Sequence, residues 1–434
     1  MNKEIQNDEF SRPGYARTRG AYIAECAFEY FVALLVADPF LTKLLLYIGI
    51  DDATVSVLQS LISVAFLFQL FALLVVQHIT NVKRVATIIH CVGQVLFLFL
   101  YFVPFLPVVT KYKSVIIIVC FLLAYFGNYL VTSVIFRWGN SFVDPQRRAR
   151  YAATKEMISL VGGAVLTFVM GLVVDYYEKI DDLKTGFIIT AIVMALSCVA
   201  DFICLLLMKN RVTTVPKNEK SEPVISVIKK LFTNKGFVCV LVTAILWQCA
   251  HYGLLGAIAT YKQVELGMEV ALIQIINICG QLTRLAMSRP IGKYTDKRSY
   301  TKGLILGFTI VGVAYFINIF TTPATWWLII PYTLLYNAAM AGLGQNFVNI
   351  IYNFVEEKYF VQASALKNSI GGVVGFIVAI ISSNVMRAVQ ASGNKIFGVT
   401  VYAQQILSFG CFVFVVIAII FSHKFLENRK IIAR

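Results

Sequence analysis

Long apolar stretches alternate with short polar loops along nearly the whole chain, and the alternation repeats twelve times. A hydrocarbon layer roughly 30 Å thick takes about 20 helical residues to cross, and backbone polar groups inside it must pair within their own segment. Each apolar stretch therefore predicts a membrane-spanning helix. The predicted spans are residues 20–44, 53–78, 85–106, 114–137, 155–176, 185–208, 237–261, 269–289, 301–320, 325–350, 363–386 and 397–422. The first span is overlong, and Asp38-Pro39 is expected to break it near its outer end.

The basic residues of the loops fall almost wholly on alternate sides of this pattern. With the amino terminus placed in the cytoplasm, the inner segments carry 29 lysines and arginines and the outer segments carry eight. Cytoplasmic loops of membrane proteins are enriched in these residues, so the asymmetry predicts that both termini are cytoplasmic. We therefore expect an all-α membrane protein with twelve transmembrane helices.

The longest polar stretch divides the spans into two groups of six. The expected domains are a cytoplasmic N-terminal segment (1–19), an N-terminal six-helix bundle (20–208), a cytoplasmic linker (209–236), a C-terminal six-helix bundle (237–422) and a cytoplasmic tail (423–434). The linker contains Pro216, Pro223 and seven basic residues, which is typical of a connection between domains.

Weak internal similarity supports two related halves. The segment after span four passes through Lys155 to Gly162-Gly163, and the segment after span ten passes through Lys367 to Gly371-Gly372. Paired glycines inside spans predict close contact between helices.

Composition agrees with a membrane protein. Hydrophobic residues make up 59% of the chain, charged residues make up 14%, and the mean hydropathy is +0.76. A net charge of +15 would suggest a nucleic-acid partner in a soluble protein. Because the basic residues here lie next to apolar spans, we interpret them as the residues that orient the spans in the membrane. We expect a lipid bilayer as partner and no nucleic acid. The cysteines form no CxxC pair, and we expect neither a metal site nor a cofactor.

The loop after span eight carries a family signature. Residues 292–298 read GKYTDKR and resemble the G-x-x-x-D-[RK]-x-G-[RK] loop of the major facilitator superfamily, which lies between the second and third helices of a half. Ser299 replaces the second glycine of that signature. Together with twelve spans, cytoplasmic termini and a basic linker, the resemblance covers nearly the whole chain.

The resemblance implies two pseudo-symmetric bundles that rock about a central site and so give alternating access to the two faces of the membrane. It implies a cavity lined by spans 1, 4, 7 and 10. It also implies a gating role for Gly292, Asp296 and Arg298, in which Asp296 pairs with helix amides or basic residues and holds the cytoplasmic gate shut. A solvated loop charge is the open alternative.

Two ionisable side chains lie deep inside predicted spans. Glu29 is near the middle of span 1, one turn after Glu25, and Arg284 is near the middle of span 8. Such groups are costly in lipid and normally face a cavity or a partner. An arginine stays charged, whereas a carboxylate can gain and lose a proton. We therefore expect Glu29 and Glu25 to couple transport to a proton gradient, with a sodium gradient or a static ion pair between Glu29 and Arg284 as alternatives.

The candidate substrate-binding residues share a similar predicted depth in spans 4, 7, 8 and 10. They are Asn128, Trp247, Gln248, His251, Asn277, Gln281, Arg284, Tyr336 and Asn337. In span 8 the polar residues share one helical face. Amides and aromatic rings favour a sugar, whereas Arg284 favours an organic acid, and the residues do not decide between them. Hydrogen bonding between helices is the open alternative for the amides.

The chain contains no HExxH, no nucleophile elbow and no phosphate-cradling Gly-Lys-Ser/Thr loop, so we expect it not to be an enzyme. The drug exporters of the resembled family typically carry Gly-Pro in the fifth helix, and span 5 has no proline. We therefore predict a monomeric, proton-coupled importer of a small polar organic solute in the plasma membrane. Efflux of drugs or metabolites is one alternative, and a non-transporting sensor or lipid-handling protein is another.

Overall fold

A computed structural model describes residues 14–68, 82–144, 148–210, 224–356, 359–396 and 398–427. These residues are almost entirely helical. The strands within them are Lys395–Ile396 and Val399–Thr400, which pair as one antiparallel hairpin.

The helices of the first half of the chain are α1 (Tyr15–Leu35), α2 (Phe40–Tyr47), α3 (Asp52–Gln59), α4 (Leu61–Ala65), α5 (Val82–Phe99), α6 (Thr110–Asn140), α7 (Arg148–Lys179) and α8 (Leu183–Leu207). Those of the second half are α9 (Val224–Thr233), α10 (Lys235–Val264), α11 (Val270–Lys297), α12 (Tyr300–Ile319), α13 (Ile329–Asn349), α14 (Phe360–Ala391) and α15 (Ala403–Phe421). Single 3₁₀ or π turns lie at Val103–Phe105, Pro323–Leu328, Ile350–Asn353 and Ser422–Leu426.

Eight helices of the described chain are long and apolar enough to cross a membrane, which confirms a multi-pass membrane protein. Helices α1 and α2 are bent by 41° relative to each other and bring the count to nine when the pair is taken as one span. The predicted break at Asp38-Pro39 is confirmed there, since α1 ends at Leu35 and α2 begins at Phe40. Part of predicted span 2, residues 69–78, lies outside the described residues. The count of twelve spans and the cytoplasmic termini stay predictions.

The chain forms two compact units, Met1–Ile50 with Phe71–Lys220 and Asp51–Leu70 with Ser221–Arg434. Helices α3 and α4 therefore belong to the second unit, where they pack on α10 and α14. The predicted boundaries of the two bundles, 20–208 and 237–422, stay a prediction.

The same pairs of helices pack together in each unit. In the first unit α1 packs on α7 and α8, and α5 packs on α6 and α8. In the second unit α10 packs on α14 and α15, and α12 packs on α13 and α15. In terms of the predicted spans, the pairs 1–5, 1–6, 3–4 and 3–6 recur as 7–11, 7–12, 9–10 and 9–12. This recurrence supports two related bundles of the same topology.

The glycine pairs lie where helices approach closely, as predicted. A Cβ atom added to Gly162 would lie 2.7 Å from the ring of Phe31 on α1, and one added to Gly163 would lie 2.7 Å from Leu34. A Cβ on Gly372 would overlap the backbone carbonyl oxygen of Ser63. Glycine therefore lets side chains of α1 pack directly against the α7 backbone, and at Gly372 it is required for α14 to pack on the α4 backbone.

Candidate functional site

A buried polar cluster lies inside the first unit, where three helices each contribute one ionisable side chain. Glu25 of α1 and Asp201 of α8 are 0% exposed, and His90 of α5 is 1% exposed. His90 Nε2 is 2.8 Å from Asp201 Oδ2, so an imidazole N–H donates to the carboxylate. The amide nitrogen of Gln94, one turn further along α5, is 3.4 Å from His90 Nε2. Residues separated by four on a helix share a face, which places His90 and Gln94 together.

Several atoms of this cluster have no hydrogen-bond partner within the part of the chain that the structure describes. They are Glu25 Oε1, His90 Nδ1, Gln94 Oε1 and Asp201 Oδ1. The other carboxylate oxygen of Glu25 accepts from the Cys26 thiol at 3.2 Å. A buried polar atom without a partner costs free energy, and a native protein keeps such atoms mainly where a proton, water or ligand uses them.

The donor set of Glu25, His90 and Asp201 also resembles that of a metal site, because one ligand atom from each lies within 4.8 Å of the other two. Two ligands of a tetrahedral zinc ion, each about 2.1 Å from it, are only about 3.4 Å apart. His90 Nε2 and Asp201 Oδ2 are 2.8 Å apart, which is shorter than that and is the distance of a direct hydrogen bond. As described, His90 and Asp201 are therefore joined by a hydrogen bond inside a buried polar cluster.

Glu29 lies one turn after Glu25 on α1 and is half-buried. Its charge interacts with those of His90 and Asp201, and with the ammonium of Lys155 on α7. That ammonium lies 4.9 Å from the centre of the Tyr22 ring. Of the two predicted coupling residues, Glu25 is therefore part of the cluster, and Glu29 lies at its edge between the cluster and a cation.

An aromatic ladder forms the second polar feature, inside the second unit. Trp247 and His251 share one face of α10, and their rings are stacked with centres 5.5 Å apart and planes at 20°. The Tyr336 ring of α13 lies nearly parallel to His251, with centres 6.1 Å apart and planes at 13°, and meets it edge to edge through its hydroxyl. The Tyr336 hydroxyl is 2.6 Å from His251 Nδ1, which fixes the imidazole plane. The structure thus brings together three of the predicted substrate-binding residues.

Helix α11 brings further predicted residues near this ladder. A Cβ on Gly280 would lie 2.5 Å from the amide nitrogen of Asn337, so α11 and α13 touch at this point. Arg284, one turn later on α11, is exposed, and its charge interacts with the Tyr336 hydroxyl. Asn277 and Gln281 are half-buried on the same helix.

The remaining predicted residues lie apart from the ladder. Gln248 contacts Gly371 of α14, on another side of α10. Asn128 lies in the first unit, where its carbonyl oxygen approaches Gly93 of α5. Glu29 and Arg284 belong to different units. Their pairing, and the role of Asn128 beside the ladder, stay predictions.

The predicted gating residues lie at the C-terminal end of α11. Asp296 and Arg298 are exposed and Gly292 is half-buried. Arg298 caps the helix, with its backbone N–H donating to the carbonyls of Tyr294 and Thr295. A gating role for these three residues stays a prediction.

His90 and Asp201 are not among the site residues predicted from the sequence. Asp201 satisfies the criterion that selected Glu29 and Arg284, because it is an ionisable residue inside α8, an apolar helix long enough to cross a membrane. Among the described residues, His90 is the only histidine inside a span of the first half. Each residue could therefore have been selected from the sequence as an ionisable group inside a span. Only the fold shows that the two side chains are in contact.

The chain matches the family model described as Major Facilitator Superfamily over residues 26–383. Among similar solved structures, a mutant of the nucleoside transporter NupG is 14% identical, with a TM-score of 0.71 and coverage of 94% of this chain and 99% of that chain. A bacterial homologue of the human lysosomal transporter Spinster is 16% identical, with a TM-score of 0.67 and coverage of 97% and 100%. A POT family transporter in complex with 5-aminolevulinic acid is 15% identical, with a TM-score of 0.66 and coverage of 94% and 96%. At these identities the likeness shows a shared fold, and no curated protein sequence matches the chain.

Proposed function

The chain belongs to the major facilitator superfamily, and on that premise we propose that it is a proton-coupled importer of a small polar organic solute, a sugar or an organic acid. Family and fold make it a membrane transporter rather than an enzyme. Our proposal adds the proton gradient as driving force, the uptake direction, the plasma membrane and a monomeric state. A sodium gradient is the alternative driving force.

The buried cluster of Glu25, His90 and Asp201 is the observation that carries proton coupling. Two carboxylates against one imidazole leave an excess negative charge when every acid is ionised, and a charge without compensation is costly at this burial. Gaining one proton removes the excess charge. The count holds with His90 as the imidazolium, in which both ring nitrogens carry a proton, so the free oxygens of Glu25 and Asp201 are the atoms that can receive the added proton.

The depth of the cluster supports access for protons from the cytoplasm. Each of its three residues lies five to seven residues from the predicted inner end of its span, which is about 8–11 Å along a helix. Further titratable groups of the described residues interact with the cluster or with Glu29. They are Tyr22, Cys26 and Glu29 on α1, Cys91 on α5, Tyr129 on α6, Tyr151 and Lys155 on α7, and Cys198 and Cys204 on α8. Lys155 is the cation among them, and it is placed to compensate Glu29 while the cluster is deprotonated.

The aromatic ladder supports a ring-shaped solute. The face of a sugar ring stacks on an aromatic ring, and its hydroxyl groups bond to amides and phenols. Trp247, His251 and Tyr336 provide the rings, and Gln281 and Asn337 provide nearby amides. Arg284 supports the other solute class, because a guanidinium binds a carboxylate through two parallel hydrogen bonds. Among the similar folds, one protein transports nucleosides and another holds 5-aminolevulinic acid, so this fold serves both a sugar-bearing compound and a small acid.

The decisive experiment measures uptake of a labelled solute into proteoliposomes, after a thermal-shift screen of sugars and organic acids on the purified protein. One proton moved with a neutral solute through 100 mV is worth about 2.3 kcal/mol, which sustains roughly 50-fold accumulation. We expect Glu25→Gln, Glu29→Gln and Asp201→Asn to lower accumulation to equilibration while solute exchange continues.

Glu178→Gln is the matched control, since Glu178 is a carboxylate outside the predicted spans that pairs with Lys43. It should accumulate solute as the unmodified protein does. Normal accumulation by Asp201→Asn would overturn coupling through the cluster. Accumulation that requires the opposite gradient would indicate efflux, and binding without exchange would indicate a sensor. Loss of sugar binding in Trp247→Ala, against loss of acid binding in Arg284→Ala, separates the two solute classes.

A further inference from the structure

The short helix α9 presents a basic and aromatic face at the start of the second unit, and we propose that this face binds the anionic head groups of membrane lipids. Val227 and Leu231, one turn apart on α9, are 1% and 3% exposed and pack into the core of the unit. Lys229 and Phe232 lie on the opposite side and are exposed, Phe232 to 49%. The side of α9 that faces away from the core therefore carries an ammonium group and an aromatic ring, two kinds of group that bind at a membrane interface.

The position of α9 along the chain places it beside the bilayer surface. One residue, Asn234, separates α9 from α10. The side chain of Asn234 caps α10 by accepting from the Phe237 N–H at 3.0 Å, and its amide donates to the Phe354 carbonyl at 2.6 Å. Lys235 begins α10 two residues before the predicted start of span 7. The head-group layer is about 5–8 Å thick on each side of the hydrocarbon. Lys235 is two residues, or about 3 Å, from the predicted span and so lies within this layer, and α9 directly precedes it in the chain.

The charges of this face are available for a ligand. Lys229 and Lys235 are exposed, and neither has an ion-pair partner among the residues that the structure describes. Lys230 is engaged, since its ammonium donates to the Tyr359 hydroxyl at 3.3 Å and lies 5.5 Å from that ring. Two free ammonium groups beside an exposed phenylalanine complement a lipid with a phosphate group and acyl chains. The excess of basic residues on this predicted side of the membrane agrees with a cytoplasmic leaflet that carries anionic lipid.

The test compares lipid binding by the full-length purified protein in detergent. A short-chain phosphatidylglycerol, the matching phosphatidylcholine and glycerol 3-phosphate are each titrated, and lipid adducts are counted by native mass spectrometry. One lysine near a charged leaflet is worth about 1 kcal/mol. The double variant Lys229→Gln/Lys235→Gln should therefore raise the half-saturating concentration of phosphatidylglycerol roughly 30-fold and leave that of phosphatidylcholine unchanged.

The matched control is Lys111→Gln/Lys395→Gln, which removes the same charge from two exposed residues on the predicted outer side. It should bind phosphatidylglycerol as the unmodified protein does. Equal weakening in both double variants would show a response to net charge and would overturn the proposal. Unchanged binding by Lys229→Gln/Lys235→Gln would also overturn it, as would glycerol 3-phosphate binding as tightly as the lipid. Each variant's melting temperature in phosphatidylcholine checks that it is folded.

Discussion

The contact between α14 and α4 predicts a clear difference between two glycine substitutions. A Cβ on Gly372 would overlap the carbonyl oxygen of Ser63, far inside the 3.4 Å at which ordinary contact begins, and would lie 3.1 Å from Phe66 Cβ. The obstacle is backbone, so Gly372→Ala requires α4 or α14 to move by roughly 1 Å, and such overpacking costs about 1–3 kcal/mol. Gly410 of α15 is a matched control, because a Cβ there meets nothing within 4 Å.

Both substitutions gain the same helix propensity, about 0.5–1 kcal/mol, so the difference between them isolates the steric cost. We expect Gly410→Ala to stabilise the protein slightly, and Gly372→Ala to be about 1–3 kcal/mol less stable than Gly410→Ala. Equilibrium unfolding in mixed micelles of mild detergent and dodecyl sulfate measures the two free energies of unfolding. Equal free energies for the two variants would refute the close docking of α4 on α14.

Two further predictions concern single contacts. Tyr336→Phe removes the hydroxyl that is 2.6 Å from His251 Nδ1; we expect a loss of about 0.6–1.7 kcal/mol in the free energy of unfolding and weaker solute binding by thermal shift, and a variant unchanged in both would contradict the contact. Partial burial raises the pKa of Asp51, but hydrogen bonds from Thr54 and the charge of Arg387 outweigh it and leave that pKa lowered. A lowered pKa stabilises the fold above the unfolded value of about 3.9 and ceases to do so as the pH falls through the folded value. In Arg387→Gln the electrostatic part of the loss should therefore be at most about 1 kcal/mol between pH 5 and 8 and absent near pH 2, while loss of the hydrogen bond to Thr54 Oγ1, at 2.7 Å, remains at every pH. A melting-temperature difference of equal size in neutral and acid solution would exclude the ion pair as its cause.

The helical architecture was predictable because its cause is local. A bilayer imposes the length of each apolar stretch, and a proline has no N–H to donate, so it weakens a helix and can break it. The sequence therefore predicted the break at Asp38-Pro39 and the close helix contacts at Gly162 and Gly372. The packing of α3 and α4 within the second unit could not be predicted, since their apolar side chains could be buried equally well against either bundle.

The candidate site was partly predictable for the same reason. Trp247 and His251 are four residues apart, so their shared face follows from helical periodicity, and similar depth suggested Tyr336 as a neighbour. The cluster of the first unit depends on three helices that are far apart in sequence. Glu25 was selected for its own position, but nothing local to Asp201 or His90 specifies that the two side chains meet at 2.8 Å.

Because α3 and α4 belong to the second unit, the two halves of the chain cannot be produced as separate polypeptides without separating these helices from their packing partners. A polypeptide cut after residue 210 would leave both helices on the N-terminal fragment, while α10 and α14, their packing partners, would be on the other. Val55 and Leu58 are 0% and 2% exposed in the intact protein, and their side chains would become exposed in the separate fragment. Neither fragment made by itself can complete its interior, so the two should accumulate stably only when a cell produces them together.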